Sequence, residues 1–595
     1  MPPAHRVHPV STVSNQTQSD HSAQSSISPD HRIAGILAPL FALRSGNDLG
    51  VGDIGCLREL VDWAAAAGFR LVQLLPINET GADNSPYMAV SSAALEPGTL
   101  ELAPDRVPGL TQEALDEELE KENLAELRSG AVAYSKVKPL KLRLLERAFE
   151  NFSRTDLSKN TRRARIYRQW MAGQAEWLDG YGLFRVLMDE NRVGEQWDLW
   201  PEQQRTLASA RQWLDQQPAG VRKRFEKRVR FYKWVQWVAF AQWEEMRAYA
   251  EGRGVWLMGD VPFGVSYYSS DVFSDPQIFD LQWSGGAPPE PAYRDDPFVA
   301  KWGQNWGVPL YRWDRMRANN FRWWRRRVRL TRNIFHLFRI DHVLGFYRIY
   351  GFPWRPQKNG EYITLTHEEA RTRTGGKLPR FFPHDDVTEK HRDWNRADGE
   401  EFLRALLEET GEYRLIGEDL GVVPPYVRPS LTGMGIAGFK IPIWEPKWDG
   451  WLIDGADYQR LSVTTYATHD HEPLRAWWDH RYHATRAEGQ DRASAWDQMV
   501  KLTAFAHMHM REPEPWSGTL HLALLQALFR SNSWIAVCMI TDLFGTDQRF
   551  NVPGAVAESN WSERLPHDIP TWRQRPELRD LAAAVTAILK ETGRT

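Results

Sequence analysis

IFHLFRI at Ile334–Ile340, closed by Asp341, is a short run of apolar residues that stops on a carboxylate. The same pattern recurs along the chain. LVQLL at Leu71–Leu75 ends at Pro76, VWLM at Val255–Met258 ends at Gly259-Asp260, and RLI at Arg414–Ile416 ends at Gly417-Glu418. Leu461–Tyr466 stops near His469-Asp470, and WIAVCMI at Trp534–Ile540 stops near Asp542. Helical patterns separate these runs; one of them, Ile54–Ala67 with Asp53 as its N-cap, precedes the run at Leu71. Short strands spaced by helices pair in parallel through crossovers. In a (β/α)8 TIM barrel the active site lies at the C-terminal ends of the strands. The pattern therefore predicts an α/β barrel in which Asp260, Asp341, Glu418, Asp470 and Asp542 converge on one mouth.

Length fits a barrel only if it is decorated. A barrel typically takes roughly 250 residues and tolerates large insertions, whereas this chain has 595 residues and no clean linker. Residues 106–225 are charged and helical, with Leu140, Leu144, Leu145, Ala148, Phe149 and Phe152 on one face. They read as a largely helical subdomain inserted between the start of the barrel, 31–105, and its remainder, 226–595. No all-β domain is expected after the barrel. Residues 1–30, rich in Ser, Gln, His and Pro and without a sustained apolar run, read as a disordered tail with no secretory signal.

Composition narrows the function classes. The 74 Lys+Arg and 77 Asp+Glu leave a net charge of −3, which argues against a general nucleic-acid binder. The basic run RWWRRRVR at Arg322–Arg329 reads as an amphipathic barrel helix, and Glu117–Asn123 as a solvated helix face. No apolar stretch approaches the ~20 residues that cross a bilayer, so no membrane role is expected. Cys56 and Cys538 form neither a disulfide framework nor a metal pattern, which fits a reducing, cytoplasmic setting. The 28 tryptophans are in excess of the 18 tyrosines. Each one taken singly is more often core than ligand platform, but the excess as a whole leans towards a carbohydrate, whose C–H faces match indole rings.

Retaining glycosyl transfer needs two carboxyl groups from different strands, one to attack and one to protonate the departing oxygen. Asp341 and Glu418 are placed for this. Arg339, two residues before Asp341, shares its strand face and would hold it ionised. Asp470 would supply a third carboxylate, and His469 a donor to the same sugar hydroxyls. Other readings stay open at this point: Asp341-His342 as a helix cap, Glu418-Asp419 as an acidic turn, and His469, Asp470, His471 and Glu472 as metal ligands or a polar loop.

RIDH at Arg339–His342, GEDLG around Glu418 and THD at Thr468–Asp470 resemble, in order, the catalytic segments of the amylomaltases. These are the 4-α-glucanotransferases, or disproportionating enzymes, of glycoside hydrolase family 77. SPY at Ser85–Tyr87, GDVP at Gly259–Pro262, GAPP at Gly286–Pro289, WGVPLYRW at Trp306–Trp313, RFNVPG from Arg549 and NW at Asn560-Trp561 extend the likeness over about residues 35–565. The resemblance implies that Asp341 is the nucleophile, Glu418 the acid/base and Asp470 the transition-state stabiliser. It also implies that Arg339, His469 and Asp260 line the donor subsite, and that Ser85, Tyr87, Trp306 and Asn551 meet the glucan chain. No metal or cofactor is implied; the partners would be α-1,4-glucan donors and acceptors, and the protein a monomer or weak homo-oligomer. The sequence departs from the family at Leu344, where an arginine is usual, at His471, where asparagine is common, and at Glu290, where aspartate is usual. These departures bear on rate, acceptor preference and the balance of transfer against hydrolysis. An α-glucan hydrolase and a catalytically weakened glucan-binding protein remain the rival readings.

Overall fold

The computed structural model describes residues 27–290, 296–489, 491–553 and 559–595. Of the tail expected over residues 1–30, residues 1–26 lie outside these.

Eight parallel strands form the central sheet: β1 Ile33–Leu37, β2 Leu71–Gln73, β3 Trp256–Pro262, β4 Leu337–Asp341, β5 Leu415–Gly417, β6 Gly438–Lys440, β7 Ser462–Thr464 and β8 Ile535–Met539. Neighbours in sequence are neighbours in space, and β1 pairs with both β2 and β8. The remaining seam, between β5 and β6, closes through the parallel bridge Ile416–Ala437, where the Gly417 N–H donates to the Ala437 carbonyl at 2.9 Å. The sheet is thus a barrel, as the recurring strand pattern anticipates. Two of its strands, β1 and β6, are not among the six runs singled out in the sequence. IAGIL is short and wholly buried, and GFK has only three residues, so neither shows an alternation to read.

Alternation along the strands decides what enters the barrel. Leu337 of β4 belongs to the interior cluster with Ile33, Leu37, Leu71, Met258, Ile416, Phe439 and Val463. Phe338 and Ile340 instead pack outwards into the large core beneath the helices. With a period of two, Arg339 and Asp341 follow Leu337 into the lumen. The same parity carries Met258 to Asp260 on β3, and Ile416 to Glu418 just past β5. Apolar side chains fill the lower barrel and charged ones the top.

The helix Ile54–Ala67 has its sequence-expected bounds, with Asp53 Oδ1 accepting from the Cys56 N–H at its start. The face Leu140–Phe152 is buried within the helix Tyr134–Phe152. The helix Ala219–Gly252 runs on past residue 225, so a boundary drawn there divides one continuous helix. The basic run lies in the helix Arg322–Ile334, which buries Trp323, Trp324, Val328 and Ile334. Its outer arginines are paired, Arg325 with Glu408 and Glu409, Arg326 with Glu176, and Arg329 with Glu409. The acidic face is not wholly solvated: Glu118 is buried under Lys121, Arg143 and Arg147.

An antiparallel sheet not foreseen in the sequence covers part of the mouth. Its strands run in the order Gln304–Tyr311, Phe279–Ala287, Ile349–Phe352 and Arg380–Phe382. It carries Trp306 to the rim. Gly286 makes the close pairing possible, because a Cβ there would lie 1.8 Å from the Gln304 carbonyl oxygen. Among the described residues, no helix is long and apolar enough to cross a membrane.

Candidate active site

A cavity of about 730 Å3 opens at the C-terminal ends of the strands. Ser85, Tyr87, Trp306, Arg339, Asp341, Glu418, His469, Asp470 and Asn551 all line it. Asp260, the tenth expected residue, sits beneath, bonded to two residues that do. Asp542 is a correction to the five-carboxylate mouth. Its strand ends at Met539, and the following turn of helix aims its carboxyl away from the cavity, to accept from the Leu474 N–H at 2.7 Å. Burial pushes that carboxyl up to about 7.

Arg339 organises the floor. Its Nη1 donates to both oxygens of Asp260, at 2.8 and 2.6 Å, while its Nη2 lies 2.8 Å from Asp341 Oδ1 and 3.9 Å from Glu418 Oε2. Three carboxylates thus share one buried guanidinium. Asp341 is the most exposed of them, at 29%, against 10% for Glu418 and 0% for Asp260.

Burial pushes the Glu418 carboxyl up to about 8, with the nearby Asp341 charge adding to the shift and Arg339 opposing it. Two backbone donors fix its orientation: His342 N–H to Oε2 at 2.7 Å and Leu420 N–H to Oε1 at 3.0 Å. His342, the first of these donors, itself adopts a left-handed conformation, φ 49°. Few non-glycine residues take that conformation. Nothing in the letter pattern marks it.

His469 is held on both sides. The Tyr87 hydroxyl donates its one proton to Asp260 Oδ2 at 2.7 Å, so it offers only a lone pair to His469 Nδ1 at 3.3 Å. His469 Nε2 faces Asp470 Oδ1 at 3.3 Å. Both ring nitrogens therefore face acceptors, which favours the imidazolium. Burial lowers the His469 pKa, but Asp470 outweighs it and the net shift is upwards. Burial likewise raises Asp470, yet His469 and the Asn551 amide, 2.7 Å from Oδ1, hold its carboxyl well below the usual range. The Tyr87 and His469 rings stack at 4.9 Å, with Trp561 alongside. Trp306 meets the His342 ring edge-on at 4.7 Å.

His469 and Asp470 join the cavity network, whereas Glu472 turns to Arg481 and His480, and His471 Nδ1 to the Thr468 hydroxyl. Among the described residues, no group of three His, Cys, Asp or Glu side chains gathers as a metal site. Leu344 is 5% exposed and contributes an apolar wall where the resemblance expects a guanidinium. The residues that sequence reasoning missed act largely through backbone atoms (His342, Leu420) or from distant loops (Trp444, and Arg549, whose Nη2 donates to the Asp470 carbonyl).

The family profile described as 4-alpha-glucanotransferase, glycoside hydrolase family 77, matches residues 38–569. A 4-alpha-glucanotransferase of Chlamydia pneumoniae is 29% identical over 572 residues, covering 93% of this chain and 93% of the relative. Amylomaltase from Streptococcus agalactiae, solved in complex with acarbose, shares the fold with a TM-score of 0.69 at 20% identity, over 95% of this chain and 99% of that one. Amylomaltase from Corynebacterium glutamicum does so at 0.71 and 19%, over 94% of this chain and 75% of its own. The match takes in seven of the eight barrel strands and every residue that lines the cavity, and the chain belongs to glycoside hydrolase family 77, the 4-alpha-glucanotransferases.

Proposed function

We propose that this enzyme moves α-1,4-glucan segments between malto-oligosaccharides, or starch- and glycogen-type chains, by double displacement. In the first step Asp341 attacks the anomeric carbon of the donor and the C–O bond to the leaving chain breaks. Glu418 gives its proton to the departing oxygen. In the second step the 4-hydroxyl of an acceptor glucan attacks the β-glucosyl ester, Glu418 takes the hydroxyl proton back, and Asp341 leaves as carboxylate. Asp470 and His469 hold ring hydroxyls as positive charge develops at the anomeric carbon.

The observation that carries this reading is the shared contact of Asp341 and Glu418 with one guanidinium nitrogen. The two nearest carboxylate oxygens cannot be further apart than the sum of those contacts, which only reaches the bottom of the roughly 6.5–9.5 Å that inverting enzymes need. The environments also differ in the required sense. Glu418 is buried and proton-holding, while Asp341 is more exposed and salt-bridged to Arg339. Free buried cysteines at Cys56 and Cys538 accord with a reducing, cytoplasmic setting.

Incubation with maltotriose tests transfer directly. The expected products are glucose and a ladder of longer oligosaccharides, with total reducing ends constant. Reducing ends that rise in step with substrate loss would instead establish a hydrolase, a reading favoured by the loss of a cation at Leu344. Asp341→Asn should lower turnover by at least about 10^3-fold while glucan binding persists. Unchanged turnover in that variant would remove Asp341 from the role of nucleophile.

A further inference from the structure

The 442–453 segment leaves the barrel after β6 and returns as a hairpin carrying Trp444, Trp448 and Trp451. Its ladder is short but defined. Ile453 N–H donates to the Glu445 carbonyl at 2.9 Å, Lys447 N–H to the Trp451 carbonyl at 2.6 Å, and Gly450 N–H closes the turn on Lys447 at 3.0 Å. The feet are pinned as well: Glu445 binds Lys440 Nζ at 2.9 Å, and Asp454 meets His507 Nε2 at 2.8 Å. Trp448 stands in the turn and is 98% exposed. An indole that fully exposed forgoes the burial that ordinarily stabilises a large apolar side chain. Trp451 and Trp444 are each 45% exposed, and Trp444 lines the cavity with its ring against His471 at 4.7 Å.

We propose that this hairpin presents Trp448 as a stacking platform for α-glucan chains that extend out of the cavity past Trp444. The inference rests on the glucan-transfer reading and adds a site beyond the cavity itself. Four residues of extended chain span at most about 14 Å, so one oligosaccharide passing Trp444 reaches Trp448. The charged residues over 445–454 are Glu445, Lys447, Asp449 and Asp454. Lys440 and Arg428 pair with Glu445, so the hairpin carries no strong charge of either sign, which suits a neutral, hydroxyl-rich chain. Because the turn is already ordered by its own hydrogen bonds, stacking a sugar on it forfeits little conformational freedom.

The test compares Trp448→Ala and Trp448→Phe with the wild type, as full chains, on maltotriose and on long amylose. The expected result for Trp448→Ala is a KM for amylose raised about tenfold, with kcat and all maltotriose kinetics unchanged, and largely restored in Trp448→Phe. Equal changes on both substrates, or none on either, overturn the platform. Retardation in glycogen-containing native gels, measured in the Asp341→Asn background, reads the same site without turnover. Loss of retardation on adding Trp448→Ala supports the platform, and unchanged retardation overturns it even if the transfer reading itself has failed on maltotriose. Sedimentation covers the other occupant: a dimer in the wild type that Trp448→Ala dissolves would assign the surface to a second copy and overturn the proposal.

Discussion

Arg339 is the residue on which the site turns, because a single guanidinium holds three carboxyl groups in different electrostatic states. Asp260 accepts from Nη1 with both oxygens, Asp341 makes a single contact with Nη2, and Glu418 the longest. Burial, only partly offset by the Arg339 cation, leaves the Glu418 carboxyl holding its proton up to about pH 8. In the proposed mechanism protonated Glu418 is the acid, so kcat/KM is expected to fall as pH rises through about 8 and to hold below it on this group's account. The stability sign follows from the same shift. The unfolded chain ionises Glu418 near its ordinary 4.5, so between that value and about 8 unfolding releases a proton and stability falls as pH rises. An alkaline limb that persists unchanged in the residual activity of Glu418→Gln would assign the limb to another group. Asp341, Glu418, Asp470 and their neighbours were legible as residue types at strand ends. The hydrogen bond from the His342 N–H that orients Glu418 was not, since it joins residues 76 positions apart in the chain.

At the scale of elements, the strands work because small residues let large ones pass. Gly259, just before Asp260 on β3, faces Phe335, and a Cβ there would lie 2.3 Å from the ring. Gly259→Ala must therefore push β3 or Phe335 aside, at about 1–3 kcal/mol. Because β3 also carries Asp260, the Arg339 clamp should loosen with it. Thermal unfolding should shift down by several degrees, and transfer activity should fall in the folded fraction as well; a variant with unaltered melting would show that the ring has room. The helix Arg322–Ile334 teaches a different lesson. Its arginines are numerous enough to invite a polyanion, but the run reads as an amphipathic barrel helix, and other helices supply carboxylates to its outer arginines.

For the molecule as a whole, the barrel is closed twice, once by the β5–β6 bridge and once at its base. Arg594 is fully buried and donates to the carbonyls of Ile33, Ser531, Ser533 and Trp534, at 2.7 to 3.2 Å, tying the C-terminal segment to the starts of β1 and β8. Arg594→Met should lower stability by about 3 kcal/mol by leaving buried carbonyls unmet. It should spare turnover per folded molecule, because the base lies at the opposite end from the cavity; denaturant unfolding and maltotriose kinetics on the same preparation check both halves. Most tryptophans likewise turn out to serve the interior, Trp234, Trp243, Trp478 and Trp534 among them, with Trp306, Trp444 and Trp561 left for the cavity. The sequence by itself determined the barrel, through strands that recur with carboxylates at their ends, and it determined the acidic cluster and the family, through ordered local motifs. These are properties of residue order, and hydrophobic periodicity and spacing carry them. Only the tertiary structure decided that Asp542 faces away, that Asp260 lies beneath the floor, that an antiparallel sheet roofs part of the mouth, and that Glu418 is more deeply buried than Asp341. Each of those depends on burial and on partners from about 70 to 170 residues apart, and neither is written in the local order of the chain.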